Sequence, residues 1–207
     1  PAGRLANADV FDKPVAPKLQ ESGRRVAIIL VDALRYELGV ELEKQLVDEG
    51  QVEVQAAFAQ LPTTTPVGMA SLLPGAGSDL RLLRTDDRMV VAMGEKALPQ
   101  VTQRMDLLRQ RYGQRFAQGK LNEFVSGSFD PAGEVELLVL RSNDMDEELE
   151  SDLEIGLSQV SRTFQKVLGA VYRLRGMGFA DVMILTDHGF YLNTGSGAGD
   201  VCQKPPG

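Results

Sequence analysis

The chain has 207 residues, a formal charge of -7, 43% hydrophobic and 25% charged residues. That length suits one large domain or two small ones with a substantial core, and the acidic balance argues against a broad footprint on nucleic acid. One cysteine, Cys202, excludes an internal disulfide and a thiolate-rich zinc cage, and points to a reducing, cytoplasmic compartment.

Residues 1–23 carry three prolines and little periodicity, and read as a linker or surface arm. They hold no apolar signal core, and no run anywhere reaches the roughly 18–20 apolar residues of a membrane span. "RRVAIILVD" follows, a short, continuous, β-branched apolar run of the kind buried in a parallel sheet. Residues 33–50 have leucines at helical spacing and a glycine stop at Gly50. "VEVQAAFA" (52–59) reads as a second strand, "LPTTTP" as a loop and "VGMASLLPG" as a short helix closed by Pro74 and Gly75.

"DRMVVAMGE" is expected as a strand and turn, and residues 97–118 as a helix. "VELLVLRS" (135–142) is another buried strand. Residues 146–178 form a long amphipathic helix, acidic at its start and basic at its end, which suits the helix dipole. "ADVMILTD" is the final strand, and the glycine-rich "NTGSGAGD" a mobile loop. The chain starts without Met and stops at Gly207 soon after that loop, so the expectation is a piece of a longer protein. Strands alternate with helices, which gives an α/β class with a mostly parallel sheet flanked by helices.

In such sheets ligands sit beyond the carboxyl ends of strands. That edge should carry Asp32 after the first strand, Asp144 and Asp146 after 135–142, and Asp187 with His188 after the last. Thr63, Thr64 and Thr65 precede a helix at the same level. Asp, Asp and His with a threonine hydroxyl make a coordination set for zinc or manganese. A hydroxyl at a helix N-terminus also gains from the backbone N–H groups there. Each residue has an ordinary alternative: helix caps for Asp32 and the threonines, a solvated acidic turn for Asp144 and Asp146, a surface hydrogen-bonder for His188.

The segments "VDALRYEL" (31–38), "LPTTTPVGMASLLPG" (61–75) and "ILTDHGF" (184–190) resemble the signature segments of PglZ domains, of the alkaline phosphatase superfamily, in order and rough spacing. "RMVVAMGEKALPQVTQRMDLL" resembles the stretch that follows the second of them, and the resemblance covers about residues 24–195. It implies an alkaline-phosphatase-like domain over 24–207, with a core incomplete at the C-terminus. It implies metal-dependent hydrolysis of phosphate mono- or diesters, with Thr65 as nucleophile and metal ligand. Asp32, Asp187 and His188 match the ligands of one divalent metal, zinc by the superfamily pattern. Asp146 matches an aspartate of a second metal, which also uses a histidine one helical turn later and another far downstream. Glu150 stands where the first of these is expected, and Arg141 and Ser142 where the family often has a histidine.

Arg35, one turn beyond Asp32, is placed either to contact a phosphate or to form a structural salt bridge. Gly68 and Met69 are expected to shape helix packing. The family association implies a role in antiphage defence of the BREX or phage-growth-limitation type, or in signalling. A phosphate ester, nucleotides and nucleic acid included, would be the substrate, and other defence-system proteins the partners. The alternative is a catalytically degenerate scaffold that binds partners. The missing histidine at 150 favours it, and the intact set of Asp32, Thr65, Asp187 and His188 disfavours it. The 207-residue chain by itself is expected to be a weak catalyst.

Overall fold

The computed structural model describes residues 5–85, 88–146 and 153–190. Glu150, the glycine-rich stretch 193–200 and Cys202 lie outside the described residues. Leu5–Ala6 forms a two-residue strand (β1), and the abutting helical pieces Asn7–Val10, Phe11–Val15 and Ala16–Leu19 (together α1) lead to strand β2, Val26–Val31. Next come helix α2 (Tyr36–Leu46), strand β3 (Ala57–Phe58), helix α3 (Thr65–Ser71) and the short helix α4 (Ala76–Asp79). Strands β4 (Leu80–Thr85), β5 (Arg88–Met93) and β6 (Lys96–Ala97) form an antiparallel sheet. Helix α5 (Val101–Tyr112), strand β7 (Phe116–Lys120), helix α6 (Leu121–Ser126), strand β8 (Leu137–Ser142), helix α7 (Leu153–Gly176) and strand β9 (Asp181–Leu185) complete the order.

The main sheet has the order β7-β8-β2-β9 with every pairing parallel. All six residues of β2 are buried because both faces of the sheet are covered. Ala27, Ile29 and Val31 point to one face, against Leu42 and Leu46 of α2, Phe124 of α6 and Phe164 and Val167 of α7. Val26, Ile28 and Leu30 point to the other, against Phe11 of α1, Val67 of α3 and Met105 and Leu108 of α5. A strand's side chains alternate between faces, so two apolar faces demand an unbroken apolar run. Burying each Ile or Leu stabilises the fold by about 1.5–3 kcal/mol as an upper value. The α/β class with a mostly parallel, helix-flanked sheet is therefore the one observed. Among the described residues no helix is long and apolar enough to cross a membrane.

Three local expectations are corrected. The described part of 1–23 is not a linker or surface arm: Val10, Phe11 and Val15 are at most 4% exposed and belong to the core. The second strand shrinks to Ala57–Phe58, which pairs with Leu5–Ala6 outside the main sheet. Residues 51–60 are largely exposed, so no burial favours a longer strand there. The helix expected over 97–118 stops at Tyr112, where Gly113 takes φ 57° and turns the chain into β7.

Candidate metal centre

Parallel pairing brings the carboxyl ends of β2, β8 and β9 to one edge. Asp32 follows β2 directly, and its N–H donates to the Ser142 carbonyl oxygen at 2.9 Å. The β2–β8 ladder thus runs one bond further and holds Asp32 at the rim. Ala33 then takes φ 58°, a left-handed conformation that costs a non-glycine residue about 1–2 kcal/mol. Its N–H lies 3.4 Å from Asp187 Oδ1, on the turn that follows β9.

Asp32, Asp187, His188 and Thr65 meet at this edge. His188 Nε2 lies 3.1 Å from Thr65 Oγ1, 3.3 Å from Asp187 Oδ2 and 3.7 Å from Asp32 Oδ1. Its Nδ1 is 3.1 Å from the Gly189 carbonyl oxygen, which can only accept. In the neutral ring the N–H is therefore assigned to Nδ1, and the Nε2 lone pair faces the three oxygens. Asp146 joins from the β8 side: its carboxylate, that of Asp32 and the His188 ring offer ligand atoms all within 4.8 Å of one another.

The cluster is electrostatically unbalanced. Asp32 is 5% exposed and Asp187 1%. Among the described residues, Asp32 Oδ1 and Asp187 Oδ2 are buried with no hydrogen-bond partner. Burial first, and then the charges of Asp187 and Asp146, push the Asp32 carboxyl up to about 8. Buried carboxylate oxygens facing a ring lone pair lack a positive charge between them. A tetrahedral ion with bonds of about 2.0–2.2 Å separates its donors by about 3.3–3.6 Å. The three His188 distances straddle that spacing, and Asp32, Asp146 and His188, whose ligand atoms lie within 4.8 Å of one another, form a group that could hold a metal ion.

The alternative roles fare differently. Helix α2 begins at Tyr36 with Arg35 at its cap, so Asp32 caps nothing. Thr64 occupies the cap of α3, but its side chain makes no capping bond, and Thr63 and Thr64 are exposed. Asp144 is drawn away by Lys166 at 2.5 Å and Asn122 at 3.2 Å. Arg35 is not brought into the cluster. It pairs with Glu37 at 3.1 Å and its guanidinium sits 5.3 Å from the Phe190 ring, on the wall of a wide cleft shared with Asp187 and His188.

Two supports were not assigned to the site by sequence reasoning. Asn7, 5% exposed, donates through Nδ2 to the Asp187 carbonyl oxygen at 2.8 Å, pinning the turn that carries the ligands. No sequence signal marks it. Gly68 has a signal, since glycine inside a helix costs about 1 kcal/mol against alanine. A Cβ on Gly68 would lie 2.7 Å from Asp187 Cβ and 3.1 Å from its carbonyl oxygen, so the bare backbone lets α3 press Thr65 against the ligand turn. Gly68→Ala should cost about 1–3 kcal/mol of stability by overpacking, although alanine is the better helix former. If the cluster holds a divalent metal, the variant should also bind it more weakly, measured against a competing chelator. A variant that melts no lower and binds zinc normally would refute this close-packing role.

Comparison with known proteins adds two findings. Residues 10–200 match the family model described as the BREX system PglZ alkaline phosphatase-like domain. A stretch of 67 residues is 40% identical to the alkaline phosphatase-like protein BrxZ of Escherichia coli O9:H4 (strain HS), covering 31% of this chain and 8% of that protein.

Proposed function

Because the chain belongs to the PglZ family of BREX-system alkaline-phosphatase-like domains, we propose that it is a metal-dependent phosphoesterase with Thr65 as nucleophile. One observation carries the reading: Thr65 Oγ1 and His188 Nε2 meet at 3.1 Å beside two buried carboxylate oxygens that have no donor among the described residues.

Asp32, Asp187, His188 and Thr65 would hold the ion, and their nitrogen-and-oxygen donor set suits zinc. Asp146 stands beside them as the aspartate of a second ion. When bound, a divalent metal lowers the pKa of a coordinated hydroxyl and polarises a phosphoryl oxygen. The protein's own part is placement. Thr65 is half-buried at the first position of α3, which leaves Oγ1 open to an incoming phosphorus. Asn7 and Gly68 fix the turn that faces it. Arg35, steadied by Glu37 on the cleft wall, would meet phosphate oxygens. Attack by Oγ1 forms a phosphoryl ester on Thr65 and expels the leaving alcohol, and water then hydrolyses that ester.

The substrate would be a phosphate mono- or diester, nucleotides and nucleic acid included. The family link extends the proposal to cytoplasmic antiphage defence beside other defence-system proteins. A second reading, a scaffold with a degenerate site, draws support from the single histidine in 207 residues. Elemental analysis of the full-length gene product, together with hydrolysis of bis-p-nitrophenyl phosphate before and after chelation, separates the two. The enzyme reading expects bound divalent metal and turnover that disappears on chelation. No metal and no turnover would leave the scaffold.

A further inference from the structure

A cavity of about 290 Å³ opens beside Asp32 and Thr65 and runs inward between the main sheet and α5. Leu30, Val139, Met69, Leu72, Met105 and Leu108 make its walls apolar. Its outer end is cationic. Strand register sets Lys120 beside Arg141, and Arg141 beside Leu30, and Arg104 of α5 lines the same space.

These charges are poorly used by the fold itself. Arg104 is 4% exposed, and its Nη1 donates only to the carbonyl oxygens of Leu98 and Pro99, both at 3.0 Å. Arg141 Nε is buried with no hydrogen-bond partner among the described residues. Burial holds both guanidiniums below their ordinary pKa, and Arg141 lowers Arg104 further. The carboxylates that offset Arg104 are Asp187 and Asp32, and a metal ion on those two would cancel the offset. Glu123, which acts on Arg141, is itself exposed. Leucine or valine at 141 would extend the apolar face, so packing alone does not account for an arginine.

We propose that this cavity receives an ester arm of the substrate, an apolar ring bearing a second anionic group, with Arg141 as donor and Arg104 as a fixed charge behind it. Its volume is that of roughly ten liquid waters, enough for a ring and one phosphate. The substrate role rests on the phosphoesterase reading of Thr65, whereas the anion pocket can be tested without it.

Two esters test the idea in the metal-loaded, full-length gene product: thymidine 5′-(p-nitrophenyl phosphate) and its 3′-phosphorylated counterpart. The second should be preferred by about ten-fold or more in kcat/KM, mainly through KM, as expected of hydrogen bonds to a charged group. Arg141→Gln should bring that ratio close to one, and Arg141→Lys should keep part of it. A wild-type ratio near one, or a ratio untouched by Arg141→Gln, overturns the proposal. Calorimetric titration with thymidine 3′,5′-bisphosphate and thymidine 5′-phosphate separates the two claims. If neither ester is cleaved, the phosphoesterase reading fails on its own. The pocket then stands if the bisphosphate binds more tightly and Arg141→Gln removes the difference, and falls if it does not.

Discussion

Thr65→Ala is expected to lower hydrolysis of bis-p-nitrophenyl phosphate by at least about 10³-fold, since it removes the oxygen proposed to attack phosphorus. The fold should survive. Thr65 is only half-buried, at the first position of α3, and alanine is a good helix former. Metal should survive too, because Asp32, Asp187 and His188 remain in place. Thr65→Ser keeps an oxygen at the same point and should retain measurable turnover. Elemental analysis of each variant separates a lost nucleophile from a lost ion. If Thr65→Ala were as active as the parent with metal bound, the nucleophile assignment would be wrong.

Asp32→Asn should act in opposite directions with and without metal. The Asp32 carboxyl is pushed up to about 8, against about 3.9 in an unfolded chain. The folded state therefore holds this proton more tightly, and stability falls as pH rises from about 4 to about 8. Asparagine has no such ionisation and supplies a donor beside oxygens that have none. In chelator at pH 8, Asp32→Asn should be more stable than the parent, with the gap closing towards pH 4. With zinc in excess the order should reverse, because binding stabilises the parent and the variant has lost a charged ligand. Thermal melts at two pH values, with and without zinc, check this. Identical ordering in all four conditions would mean that Asp32 is not an ionisable metal ligand.

The sheet was largely legible because "VAIILV" can be only one thing. Six apolar residues in extended spacing need cover on both faces, and α/β topology follows. Its length also set where the strand would end, and hence where Asp32 would stand. Strand β7 was hidden because "FAQGK" is a short edge strand with little apolar content, and its opening Phe-Ala-Gln continued the preceding helix's pattern. Only Gly113 marked the break.

Within the candidate site, the resemblance picked out Thr65 from three adjacent threonines, and the structure places it, and not Thr63 or Thr64, against His188. Strand-end position alone did not separate Asp146 from Asp144, and the resemblance chose Asp146. In the structure Lys166, a helix away, claims Asp144. Asn7 was invisible, since its partner is 180 residues distant and nothing local depends on it. Arg141 was noticed only as a residue standing where a histidine is often found, because burial and missing partners are properties of the assembled cavity.

The grip of Asn7 on the Asp187 carbonyl has a consequence for biosynthesis. Asn7 and β2 leave the ribosome well before β9 and His188, which come roughly 150 residues after β2. At about 5–20 residues per second that interval lasts about 8–30 s. During it β2 first lacks both strand neighbours and, after β8 is made, still has one edge unpaired, and Asp32 has no partner turn. The docking of β9 closes the edge, seats the ligand turn under Asn7 and completes the donor set in one event. The donor set around Asp32 thus does not exist until β9 has docked against β2, so any metal loading there would follow that pairing.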